Sequence, residues 1–157
     1  YSGAGATVFS GLNHLIGEEV VIVGDDAVHP PQTVDALGQV TLARSVTDCQ
    51  VGLAYTPVLG TLRPEVNIGG ATSQGKMKRR ADINVRFHET GPGVEINGIV
   101  VPFRDSFDDM DDAVQLFSGD KYVREIGWDK NVFIEVEQTQ PLPITILSIF
   151  GDIEIES

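Results

Sequence analysis

The sequence predicts an all-β protein: an antiparallel β-sandwich with a small barrel-like β lobe inserted near the N-terminus. Three observations carry that expectation. From Arg80 to His88 the chain alternates, with Ala81, Ile83, Val85 and Phe87 on one side and Asp82, Asn84, Arg86 and His88 on the other. A period of two is what a half-buried strand imposes, because successive side chains leave opposite faces of the pleat. The 17 Gly and 8 Pro supply the many tight turns an all-β chain needs. Helical spacing of apolar residues persists over no more than two turns, and residues 111–117 are the only candidate helix.

Taken in order, residues 1–11 read as a lead-in strand or linker: Tyr1 to Ala6 is Gly-rich, and Thr7-Val8-Phe9 suits a strand. Residues 12–55 read as the barrel-like lobe. Leu12, Leu15 and Ile16 anchor a turn, and the β-branched run 19–23 ends at the turn signal Gly24-Asp25-Asp26. Ala27-Val28-His29 then pairs back, and Pro30-Pro31 ends that strand because neither residue can donate to a ladder. Thr33-Val34-Asp35 and Val40-Thr41-Leu42 flank Gly38 as two short strands, and residues 46–55 complete the set. Close strand spacing of this kind suits a small barrel.

Residues 56–157 read as the sandwich, with a boundary at Thr56-Pro57. Residues 58–62 form an apolar segment, and Gly69-Gly70 centres a loop over 67–74. The strand ending at His88 breaks at Gly91-Pro92-Gly93 and resumes as Val94-Glu95-Ile96-Asn97, which predicts a hairpin. Residues 99–103 are extended, 121–126 form a weak strand, and 131–137 alternate with Val132, Ile134 and Val136 inward. Pro141-Leu142-Pro143 is a stiff turn. The run 144–150 is apolar on both faces, which predicts a central strand covered on two sides. The alternating tail 152–156 carries charges that discourage unwanted pairing.

A chain of 157 residues suits one domain, or one with an inserted lobe. Its net charge of −12 argues against wrapping duplex DNA, since such a surface repels polyanions. The charge maintains solubility, and it would also let nucleic acid slide past acidic walls without adhering. The single cysteine, Cys49, excludes an intrachain disulfide and reads as a small core residue. No window reaches the length of a membrane span and no signal peptide is visible. The first residue, Tyr1, suggests a fragment or a processed product.

No catalytic, cofactor or metal constellation emerges. Five Asp between 105 and 112 offer clustered oxygens to calcium, yet they lack the EF-hand ligand order and read as a solvated loop. His14, His29 and His88 show no ligand spacing. Asp120 and Asp129, with Trp128 beside them, could be paired acids for glycoside cleavage only if folding brought them together. Lys76, Lys78, Arg79 and Arg80 form the main basic cluster of an acidic chain, and are the candidate partner-contact residues. In an extended segment Lys76, Lys78 and Arg80 would share a face.

Several stretches occur in a shared order. They are Phe9-Ser10-Gly11-Leu12-Asn13-His14-Leu15-Ile16-Gly17-Glu18-Glu19-Val20, Val51-Gly52-Leu53-Ala54-Tyr55 and Gly75-Lys76-Met77-Lys78-Arg79-Arg80. Leu116-Phe117-Ser118-Gly119-Asp120, Gly127-Trp128-Asp129 and Gln140-Pro141-Leu142-Pro143-Ile144-Thr145-Ile146-Leu147 follow. In this order the chain resembles the C-terminal region of tailed-bacteriophage structural proteins of the tail nozzle or stabilisation type. The resemblance implies a virion component that forms ring-shaped oligomers, commonly sixfold, around the DNA exit channel. It implies no cofactor and no enzymatic activity. The partners would be other copies of the chain and adjoining tail proteins, with DNA passing transiently and unspecifically, and no membrane span. Two other readings compete. A glycan- or receptor-binding module at a tail tip would expose aromatic residues in loops, for which Trp128 and Tyr122 are available. A cell-wall hydrolase would bring Asp120 and Asp129 into one cleft.

Overall fold

The computed structural model describes every residue except 69, 70, 105–112, 114, 125, 126 and 157. The acidic connector, with residues 111, 112 and 114 of the candidate helix at 111–117, therefore lies outside the described residues; the described residues of that stretch are not helical, and Phe117 opens a strand. The chain is nearly all β and divides into two compact units. One comprises Tyr1–Thr56 with Arg104–Gln115 and Gln140–Leu142. The other comprises Pro57–Phe103, Leu116–Thr139 and Pro143–Ser157.

The first unit contains β1 (Ser2–Ser10), β2 (Glu19–Gly24), β3 (Ala27–Thr33) and β4 (Gln39–Gly52), ordered β1-β4-β2-β3 and antiparallel throughout. A single turn of 3-10 helix, Asn13–Leu15, is the only helical element among the described residues. β4 pairs with β1 over its first two thirds and with β2 through Cys49 to Gly52, so one strand serves two neighbours and curls the sheet. The Gln32 side-chain amide closes the curl: its Nε2 donates to Thr41 O at 2.7 Å, and Thr41 N donates to its Oε1 at 3.2 Å. That amide takes the place of a backbone pair between β3 and β4. Phe9, Val20, Ile22, Val40, Leu42 and Val46 fill the interior with Val34 and Cys49.

Of the lead-in strand or linker expected over residues 1–11, the structure has the strand: β1 pairs with β4 and contributes Phe9 to the core. Two expectations are corrected in this unit. Pro30-Pro31 does not end β3. The missing donors are tolerated because β3 is an edge strand, and a bulge absorbs one extra residue where Val20 pairs with Gln32 but Ile22 pairs with His29. The short strand at 40–42 and the one beginning at 46 are both parts of β4. The β2–β3 turn follows expectation: Asp25 and Asp26 both have positive φ, 47° and 62°, as a two-residue turn of the mirror-image type requires.

The second unit is the sandwich. One sheet is ordered β11-β8-β13, with β8 (Lys78–Thr90) between β11 (Phe117–Arg124) and β13 (Ile146–Ile155). The other is ordered β10-β9-β12-β5, from β5 (Val58–Gly60), β9 (Val94–Ile96), β10 (Ile99–Val100) and β12 (Glu135–Gln138). A two-residue ribbon pairs β6 (Asn67–Ile68) with β7 (Ala71–Thr72). Ile83, Val85 and Phe87 of β8 meet Val94, Ile96, Ile134 and Val136 in one buried cluster. Each such side chain contributes about 1.5–3 kcal/mol on leaving water.

Here too the structure corrects the sequence reading. Gly91-Pro92-Gly93 does not turn a hairpin, because β9 pairs with β10 and β12 and never with β8. Both ladder positions beside β8 are held by β11 and β13, so the chain crosses to the facing sheet instead. The hairpin falls one step later, at Asn97-Gly98, where φ is 49° and 74°. The apolar run 144–150 is not a covered central strand. β13 lies at a sheet edge, and Leu147 and Phe150 are exposed.

Candidate functional site

The basic cluster does not form a focused patch. Lys76 sits exposed in a turn before β8 begins. Lys78 is 1% exposed, and its Nζ donates to both carboxylate oxygens of Glu65 at 3.0 Å. Ser73 Oγ donates to the same carboxylate at 2.9 Å and accepts from Val66 N. The Lys78 hydrogen bonds, then that from Ser73, hold the Glu65 carboxyl below its usual range. Arg79 pairs with Glu154 at 2.7 Å, and its guanidinium carbon lies 5.5 Å from the centre of the Trp128 ring. A bulge in β8 is the cause: Asp152 pairs with Asp82 but Ile153 with Arg80, and the extra residue reverses the alternation, so that Lys78 is buried and Arg79 is not. Lys78 is thus unavailable as a partner contact.

Asp120 and Asp129, the candidate hydrolase pair, are held apart. Asp120 makes a bidentate ion pair with Arg86, at 2.7 and 2.8 Å, and stands opposite it in the ladder. The Asp129 backbone bridges Lys78, at 2.8 and 2.9 Å. Eight residues of β8 separate those partners, about 26 Å at 3.3 Å per residue. Paired glycosidase carboxyls stand about 5–10 Å apart. Asp120 and Asp129 therefore occupy different places. Asp120 is held below the ordinary carboxylate range by its hydrogen bond with Arg86.

The three histidines show no common site among the described residues. His29 is buried within β3, His14 lies in the helical turn of the first unit, and His88 stands exposed, 3.4 Å from Ser118 Oγ. Among the described residues, no group of three or more His, Cys, Asp or Glu is placed to hold a metal ion.

Two surface concavities of the sandwich unit are candidate sites. The first, of about 260 Å³, runs along the free edge of β5. Pro57, Val58, Leu59, Val136, Ile144 and Ile146 line it, and Gln138 is its one polar residue. Val58 and Leu59 are 56% and 47% exposed. In the sequence, residues 58–62 show only as an apolar segment. Period alone does not distinguish an edge strand from an inner one.

The second, of about 460 Å³, opens beside Trp128. Residues 131–136 alternate strictly: Val132, Ile134 and Val136 enter the core, which turns Asn131, Phe133 and Glu135 outward. Phe133 and Trp128 both line the cleft, and they are 46% and 44% exposed. The polar groups are held by hydrogen bonds of the protein's own. Asp129 Oδ1 accepts from Asn131 N at 3.0 Å, Asn131 Oδ1 accepts from Arg63 at 2.7 Å, and Asn97 Oδ1 accepts from Glu135 N at 2.7 Å. Trp128 stood out in the sequence, whereas Phe133 did not. Its signal was available, as an aromatic residue on the polar side of an alternating run.

The chain matches no protein-family model and no curated protein.

Proposed function

We propose that this chain is an architectural subunit of a bacteriophage tail, of the nozzle or tail-tube kind, which packs against copies of itself in a ring near the DNA exit channel. The observation that carries the packing is the groove along β5. A chain of net charge −12 has there a strip without a charged residue, on an unpaired sheet edge. Proteins ordinarily guard such edges with charge, and contiguous exposed apolar surface marks a contact site. A strand of a neighbouring copy would extend the sheet and cover Val58 and Leu59. The tail assignment rests on the ordered motifs that resemble tail proteins. The acidic surface fits the passage of DNA without adhesion, since like charges repel at close range. No helix among the described residues is long and apolar enough to cross a membrane.

Light scattering over a range of concentrations, with negative-stain images, tests the reading. Ring-shaped oligomers are expected. Leu59→Asp places a charge in the strip at a half-exposed position, so it should cut the mass to that of the monomer without lowering the melting temperature. A parent chain that stays monomeric at every concentration overturns the proposal.

A further inference from the structure

We infer that the cleft beside Trp128 binds a neutral carbohydrate. The fold leaves two aromatic rings half uncovered, at 44% and 46% exposure, in one concavity. Its volume of about 460 Å³ falls within the range of about 300–1,000 Å³ typical of small-ligand pockets. A buried ring offers nothing to a ligand, and a lone exposed ring needs no explanation. Two rings facing one cleft, with polar groups set around them, have the composition of a ligand site.

The polar groups then choose the ligand. Asp129 and Glu135 place two carboxylates on the wall against the one guanidinium of Arg80, within a chain of net charge −12. Phosphates, nucleotides and sulfated or sialylated glycans therefore meet a wall that is negative on balance. A pyranose ring combines a face of C–H groups with a rim of hydroxyls. The face stacks on an aromatic ring, and the hydroxyls donate to carboxylates and amides. Asp129 uses Oδ1 on its own backbone turn and leaves Oδ2 for a ligand, and Asn131 uses its Oδ1 on Arg63 and leaves its amide nitrogen as a donor. The Glu135 carboxylate offers two further acceptors.

The site is also set before a ligand arrives. Trp128 is backed by the Arg79 guanidinium, which Glu154 in turn holds at 2.7 Å. Phe133 is fixed by the buried Val132 and Ile134 on either side of it. Little ordering remains to be done on binding, which favours affinity. The cleft is a different surface from the β5 groove, and its occupation does not depend on self-association.

Trp128 is the sole tryptophan, so its emission reports this cleft alone. The full chain is screened on an array of neutral and anionic oligosaccharides, and neutral hits are titrated by fluorescence and calorimetry. Maltotriose, N,N′,N″-triacetylchitotriose and lactose are included in the titrations whatever the array returns. At least one neutral glycan is expected to shift the emission. Phe133→Ala should weaken it about tenfold, the size expected on loss of one aromatic contact. Glu135→Gln, which keeps the shape and removes the charge, should weaken it as well. Circular dichroism melts of both variants should match the parent. No binding by any neutral glycan, binding restricted to anionic glycans, or binding that both variants leave intact would each overturn the inference.

Discussion

An ammonium taken out of water is stable only beside a partner, and Lys78 has Glu65. The pair joins the segment that carries β6 and β7 to the first residue of β8, and Ser73 completes it. Glu65 is held below its ordinary value of 4.5 by the Lys78 hydrogen bonds first and Ser73 second. A carboxyl with a lowered folded pKa binds its proton more readily in the unfolded chain. Its contribution is therefore complete above about pH 4.5 and drains away as pH falls through the lowered folded value. Asp25, held down by hydrogen bonds from Asp48 N and Thr47, and Asp120, held down by Arg86, act in the same direction from 3.8 downward. The melting temperature should stay level between about pH 7 and 5 and fall below about pH 4.5. Glu65→Gln should flatten part of that fall and lower the melting temperature at neutral pH, because Lys78 is left buried without a counter-charge. Adding Lys78→Met to Glu65→Gln should recover much of the loss. Circular dichroism melts of the three proteins from pH 7 to 3 check this; a Glu65→Gln variant that melts like the parent at neutral pH would refute it.

At the scale of elements, β8 shows what a single chain reveals and what it hides. Its alternation was plain, and Ile83, Val85 and Phe87 are buried as that alternation requires. The partners of β8 were not plain, because the alternation of one strand is silent about which strand lies beside it. Hence Gly91-Pro92-Gly93 suggested a hairpin where the chain crosses between sheets, while Asn97-Gly98 was the turn that returns. For the same reason the two apolar faces of 144–150 suggested cover on both sides, yet β13 is an edge. The Trp128 cleft was half legible: Trp128, Asp129 and Phe133 lie close in sequence, but Asn97 joins them only where its backbone and side chain bond the Glu135 backbone beside the β9–β12 ladder. Pairing of β13 with β8 has its own weak point at Gly151, where an added Cβ would run into the carbonyl of Asp82 on β8. Backbone cannot swing aside as a side chain can. Gly151→Ala should force the strands apart and cost about 1–3 kcal/mol, the usual penalty for overpacking. Urea denaturation should show a lower midpoint, and hydrogen exchange should quicken in β13 more than in β11. Unchanged exchange in β13 would show that the strand had room to spare.

For the whole molecule the deciding quantity is charge. Each copy carries −12, so two copies approaching in dilute salt repel, whatever surface they present. The groove proposed as their contact has no charged residue, so salt has nothing attractive to screen there. Added salt therefore removes repulsion and keeps the apolar attraction. The Debye length shrinks from about 10 Å at 0.1 M to about 3 Å at 1 M, which silences charges outside the contact. Self-association should accordingly strengthen as sodium chloride rises from about 0.05 to 0.5 M, over which screening tightens about threefold. An interface held by ion pairs would behave in the opposite way and weaken. Sedimentation velocity at several salt concentrations separates the two. Association that fades with salt would move the contact away from the β5 edge and onto the charged faces, with the exposed Arg86–Asp120 pair the first place to look.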